Sequence, residues 1–193
     1  LTSADIQDGQ ITTAKIADDA VGNTKLDLSE NYTFTGDVNI SGHVVQVVNV
    51  QDGAVATGTT TIAYDDTIMQ NTEGDEYMTL AITPTSSTNK LKIDVVFNGA
   101  CNATNKITTV GLFQDSTANA LAVTPFLNFY GVANSPFNIS FTHFMTAGTT
   151  SSTTFKVRAG TDVSATTSFN GQLGSRKSGG VSASSITITE IAV

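Results

Sequence analysis

From Lys90 onward the chain alternates in the plainest strand pattern: Leu91, Ile93, Val95 and Phe97 fall between Lys90, Lys92 and Asp94. Period two sends neighbouring side chains to opposite faces, so this segment predicts a strand with an aliphatic inner face and a charged outer one. Similar runs recur through the chain. They are Val44–Val50, Thr59–Tyr64, Tyr77–Pro84, "KITTVGLF", "ALAVTPFLNFYG", "PFNISFTHF", "TTFKVRAG", "TTSFNGQL" and the closing "SSITITEIAV". Roughly ten short strands divided by turn signals, with no useful helical period, predict an all-β sandwich or jelly roll. Residues 43–193 are long enough for one real core, and we assign them as a C-terminal β-sandwich head.

Residues 1–42 follow a different rule. Ile6, Ile11, Ile16, Val21 and Leu26 stand five apart. Five steps line no common helix face and flip sides on a strand. Aligned in tens, "ADIQDGQITT", "AKIADDAVGN" and "TKLDLSENYT" form a degenerate decapeptide repeat. Each unit carries two apolar residues, too few to close a core alone, so units of this kind stack on neighbours or on other chains. The expectation is a short shaft in which several chains wind about one axis, with these five residues facing it. A flexible linker is the alternative, and the regular register argues against it. "FTGDVNISG", with Phe34, Val38 and Ile40 alternating, reads as the connector to the head. A chain that opens at Leu1 rather than Met is read as a piece of a longer polypeptide.

Composition sharpens this picture. Only 13% of residues are charged, against about 25% in an ordinary soluble domain. Thr, Ser, Asn and Gly supply the polarity instead, as suits strands joined by turns. The net charge is −8, and no basic residue occurs between Lys25 and Lys90. Nucleic-acid binding needs a basic patch, and a polybasic membrane anchor needs a basic run. The sequence offers neither, so no nucleic-acid partner is expected. No run of 18 apolar residues is present to cross a bilayer as a helix. Cys101, the one cysteine, has no intrachain partner and reads as a buried or half-buried thiol near a strand end.

Little in the chain points to catalysis, and no enzyme activity or cofactor is expected. His43 and His143 are the two histidines, far apart, and neither belongs to a metal-binding or nucleophile motif. His143 keeps phase with Phe137, Ile139 and Phe141, the pattern of an inward-facing ring. "GSRKSGG" has Arg176 where a phosphate loop has glycine, so Arg176–Gly180 reads as an exposed hairpin or long loop. The acidic stretch 65–76 holds Asp65, Asp66, Glu73, Asp75 and Glu76. Its spacing matches no calcium loop, and it reads as a solvated acidic segment, with calcium as the alternative. No metal ligand is assigned. The aromatic segment Val123–Phe137 carries Phe126, Phe129, Tyr130 and Phe137 in a chain with 7% aromatics. It reads as packing within or between subunits, or as a contact platform. The candidate receptor contacts are Tyr130, Asn134, Arg176 and Lys177. Tyr and Arg are favoured at binding hot spots, and Arg176–Lys177 is the sole adjacent basic pair in this acidic chain, a match for anionic surface polysaccharide.

The repeats "ADIQDGQITTAKIADDAV", the following "FTGDVNISG" and, more loosely, the terminal "SSITITEIAV" resemble tail-fibre proteins of tailed bacteriophages. The resemblance implies a parallel homotrimer exposed on the virion surface, its N-terminal side held by other virion proteins and its head outward. It also implies a jelly-roll head similar to the tumour-necrosis-factor superfamily. The histidine-x-histidine metal motif of some fibre tips is absent, so no axial iron is carried over. The function expected is attachment to a host surface glycan or outer-membrane protein. A structural fibre or capsid decoration protein is the alternative, and a glycan depolymerase the third.

Overall fold

The computed structural model describes residues 41–128 and 131–193. The five repeat residues Ile6, Ile11, Ile16, Val21 and Leu26 lie outside them, as does Tyr130. The described chain is all-β. Its strands are β1 (Val44–Asp52), β2 (Ala56–Gly58), β3 (Asp75–Ile82), β4 (Lys90–Cys101), β5 (Lys106–Gln114), β6 (Ala122–Asn128), β7 (Pro136–Thr146), β8 (Thr153–Thr161), β9 (Thr167–Phe169), β10 (Gly171–Gln172), β11 (Ser175–Arg176) and β12 (Ser184–Ile191).

One antiparallel sheet runs β1–β12–β4–β7, and a second runs β3–β8–β5–β6. The short β2 and β9 continue β1 and β12 further along β4. Numbering the eight principal strands in chain order gives first–eighth–third–sixth facing second–seventh–fourth–fifth. That is the strand order of a jelly roll, two Greek keys folded face to face.

The alternation read from the sequence packs as expected in β4. Leu91, Ile93, Val95 and Phe97 are buried between the sheets, against Ile186 and Ile188 of β12, Val110 and Leu112 of β5, and Phe155 and Val157 of β8. Each such side chain contributes roughly 1.5–3 kcal/mol on burial. Cys101 closes β4 as a fully buried free thiol, and burial raises its pKa.

Thr59–Tyr64 is not a strand; pairing there stops at Gly58. Its chain, with the acidic stretch after it, lies as a strap across the outer face of the second sheet. Ile62 and Met69 cover Phe113 there, forming a small second core. Central β5 is therefore buried on both faces, so Ile62 is apolar for packing rather than for pairing. The strap is tied by Ile62 N–H to Thr161 O (2.9 Å) and by Arg158, whose Nε and Nη2 donate to Glu73 O and Gly74 O at 2.9 and 2.6 Å.

The sandwich has two ends. One carries Val44, Ile191 and the turns after β3, β5 and β7. The remote end carries the loops after β4, β6 and β8. A chain of rings underlies the remote end. Tyr77 stacks on Phe169 (5.1 Å), Phe169 meets Phe97 (5.3 Å), Phe97 meets Phe137 (6.4 Å), and Phe137 stacks on Phe126 (4.9 Å). Of the aromatic segment, Phe137 packs within the core, pointing inward from β7.

Candidate functional site

The sequence-predicted residues Asn134, Arg176 and Lys177 come from segments forty residues apart, and the fold brings those segments together. Residues 170–183 leave the sheet between β9 and β12 and form a hairpin, β10 paired with β11, followed by a 3-10 turn at Ser178–Gly180. Gln172 Nε2 in this insertion donates to Asn134 O at 2.6 Å, and Asn134 N–H donates to Cys101 O at 2.7 Å. The loops after β4 and β6 thus join the insertion at one place. Asn134 sits at φ 64°, a left-handed conformation that asparagine tolerates better than most residues. Its Oδ1 is buried without a partner among the described residues.

The base of the insertion is fixed by buried amides and hydroxyls. Asn170 donates through Nδ2 to Asp52 O (2.5 Å) and Ala54 O (3.1 Å) and accepts from Ser184 Oγ at 2.7 Å. Asn98 N–H donates to Ser184 Oγ (2.8 Å), and Asn98 Nδ2 donates to Ala183 O (2.7 Å). Gly53 is needed opposite, because a Cβ there would strike the carbonyl oxygen of Gly180. Above this base Arg176 and Lys177 are exposed, and neither forms an ion pair among the described residues.

Between the insertion and the start of β7 lies a cleft of about 170 Å3, with Pro136 and Phe137 on one side and Gln172, Lys177, Ser178 and Ser182 on the other. Most amide groups there already serve the fold. Among its lining side chains, the Lys177 ammonium, the Gln172 carbonyl and the hydroxyls of Ser178 and Ser182 have no hydrogen-bond partner among the described residues. Groups of this kind can hold a ligand by hydrogen bonding and charge.

The other sequence candidates settle elsewhere. His143 lies half-buried on β7 opposite Ile93, and burial lowers its pKa. The acidic stretch is largely spent on its own loop. Asp65 accepts from Thr67 N–H (2.8 Å), Glu73 from the N–H groups of Ala63 and Gln70 (3.0 and 2.7 Å), and Asp75 from Thr60 N–H (2.9 Å). Glu76 pairs with Arg158 and Lys156 at 3.5 and 3.6 Å. Among the described residues no three acidic, histidine or cysteine side chains form a metal-holding group.

One carboxylate was not singled out from the sequence. Glu190, fully buried on β12, accepts from Gln46 Nε2 (2.6 Å), Asn89 Nδ2 (2.6 Å), Thr85 Oγ1 (2.8 Å) and Thr85 N–H (2.9 Å). It lies at the end opposite the cleft and holds the turn after β3, a structural task.

No family model matches the chain, and no curated protein matches it. Among solved structures the fold is similar to part of dimeric latent PorU from Porphyromonas gingivalis, at 7% identity and TM-score 0.39, over 83% of this chain and 14% of that one. It is similar to an infectious bursal disease virus structure, Gt strain, at 6% identity and TM-score 0.38, over 86% and 42% of the two chains. It is also similar to the sugar-binding EclA C-terminal domain, at 13% identity and TM-score 0.35, over 78% and 85%. At these identities and scores the matches assign neither family nor function.

Proposed function

We propose that the chain is a homotrimeric phage fibre protein, displayed on the virion surface, whose tumour-necrosis-factor-like jelly-roll head attaches to a host surface glycan or protein. The observation that carries this reading is the convergence of the β6–β7 loop, the β4–β5 loop and the 170–183 insertion at one end of the sandwich, remote from Val44. Loops vary freely while the strands beneath hold them rigid, and here the ring chain from Tyr77 to Phe126 supplies that support. The repeats before residue 42 supply the shaft, with Ile6, Ile11, Ile16, Val21 and Leu26 at its axis and other virion proteins at its N-terminal side. Recognition falls to Asn134, Arg176 and Lys177, with Tyr130 in the same loop as Asn134. The reading is of a binding protein, without metal or cofactor.

A structural fibre or decoration protein is the second reading. Exposed Val123, Leu127 and Phe144 on the edge strands β6 and β7 suit packing against other subunits or virion proteins, which is all that this reading asks of the surface. Adsorption of the fluorescently labelled protein to a panel of bacterial strains separates the two. Saturable adsorption that falls when Tyr130, Arg176 and Lys177 are replaced by Ala supports attachment; no adsorption to any strain supports the structural reading.

A further inference from the structure

The insertion interrupts one strand: the backbone turns out of it at Asn170, whose φ is 52°, and re-enters it at Ser184. Phe169 lies opposite Gly99 and Ser185 opposite Val96. Between those partners β4 has two residues, Phe97 and Asn98. The insertion is likewise flanked by two residues, with Asn170 N–H bonded to Asn98 O (2.9 Å) and Ser184 bonded to Asn98 N–H. If residues 171–183 are removed and Asn170 is joined to Ser184, the strand reads Phe169–Asn170–Ser184–Ser185–Ile186. Every cross-strand partner is kept. So is the side-chain phase: Phe169 and Ile186 face inward opposite Gly99 and Val95, Ser185 faces outward opposite Val96, and the two residues between them, Asn170 and Ser184, match Asn98 and Phe97 once Asn170 returns to an extended φ. Nothing in the sandwich core requires the insertion, so its sequence answers to something outside the core.

Its chemistry indicates what. Residues 171–183 contain Arg176 and Lys177 and no acidic residue, in a chain of net charge −8. The cleft beside them offers the apolar surface of Pro136 and Phe137, two serine hydroxyls, an amide carbonyl and one ammonium. That set suits a sugar ring bearing an acidic group. In such a complex the ring's C–H face would meet Pro136 and the exposed edge of Phe137, its hydroxyls would meet Ser178, Ser182 and Gln172, and its anionic substituent would meet Lys177. The volume is below the roughly 300–1,000 Å3 of drug-sized ligand sites, so it takes one ring-sized group rather than a side-chain cluster of a protein.

We propose that this cleft is a subsite for an acidic sugar of a surface polysaccharide, and that residues 171–183 are a separable recognition element that forms it. The proposal rests on the host-attachment reading and names its ligand. Repetition of the ligand along a polymer and of the site across subunits raises a weak single contact to useful avidity.

The test uses the full chain and three immobilised polymers: polygalacturonate for carboxylate, dextran sulfate for sulfate, and neutral dextran. The wild type is expected to bind at least one acidic polymer and not dextran, more weakly at high salt. Excision of 171–183 is expected to abolish that binding while the melting temperature stays within about 5 °C. Lys177→Glu and Ser182→Trp, which leave the strand intact, are expected to weaken it about fivefold or more. Binding to neither acidic polymer, binding equal to that of dextran, or undiminished binding by Lys177→Glu and Ser182→Trp together would overturn the proposal. Cell adsorption is measured in parallel. Adsorption that survives excision overturns the cleft and leaves host attachment standing. Acidic-polymer binding without adsorption to any strain keeps the cleft and removes the host-attachment reading.

Discussion

Glu190 is the residue on which the end of the sandwich near Val44 depends. Burial opposes its charge, yet the hydrogen bonds from Gln46, Asn89 and Thr85 outweigh that cost and hold its pKa below the ordinary 4.5. A carboxyl depressed in the folded state stabilises fully above its unfolded pKa, and that contribution is lost as pH falls through the folded value. Thermal stability should therefore hold steady down to about pH 4.5 and then decline. Glu190→Gln places an amide where donors converge and should cost about 1.5–3 kcal/mol at neutral pH. Melting curves of the two proteins should converge as pH drops, and a constant gap between them would show that the charge is not what matters. Glycines supply a second residue-level test. A Cβ at Gly111 would lie 2.5 Å from Met69 Sδ, at the flexible end of a side chain, whereas one at Gly160 would strike the backbone oxygen of Thr60. Gly160→Ala should destabilise more than Gly111→Ala in urea unfolding, because the thioether can retreat and the strap backbone cannot.

At the scale of elements, β4 and β12 were legible because each has one apolar face and the alternation is uninterrupted. The strap was not. Ile62 sits among threonines and beside Tyr64, a pattern that period-two reasoning takes for a strand, while its real partner, Phe113, is fifty residues away. Likewise "KITTVGLF" alternates weakly because both faces of β5 are covered, a fact that only the fold reveals. The candidate site was legible in part. Arg176 and Lys177 stood out by charge and Asn134 by its loop, but the cleft depends on Asn170 and Ser184, two ordinary polar residues fixed by register. The strap makes a prediction of its own. Arg158→Ala removes the donors to Glu73 O and Gly74 O. Amide exchange at Ile62 and Gly74 should then accelerate at least about tenfold, since a charged hydrogen bond contributes about 1.5–3 kcal/mol. Amides of Ile186 and Ile188 in the main core should exchange as before. Uniform acceleration everywhere would mean that the strap is not a separate cooperative unit.

For the whole molecule the question is how the sandwich edges are covered. β7 ends the first sheet and β6 ends the second, and the Phe126–Phe137 stack joins them on one side of the sandwich. The two edge strands expose Val123 and Leu127 on the outer face of the second sheet and Phe144, at 59% of its full exposure, on the outer face of the first. Free strand edges flanked by apolar side chains are a pairing hazard unless a subunit covers them. A trimer that buries this side would remove the hazard three times over, whatever the repeats before residue 42 contribute. Sedimentation of the full chain should therefore give a trimer. Leu127→Asp combined with Phe144→Asp should weaken it without unfolding the head, because both side chains already face outward and near-ultraviolet dichroism should stay unchanged. If the double variant sediments as the wild type does, assembly falls to the repeat residues Ile6, Ile11, Ile16, Val21 and Leu26 by themselves. Adding Ile11→Asp and Ile16→Asp should then release monomers. A wild-type chain that sediments as a monomer would remove both interfaces at once, and with them the fibre reading.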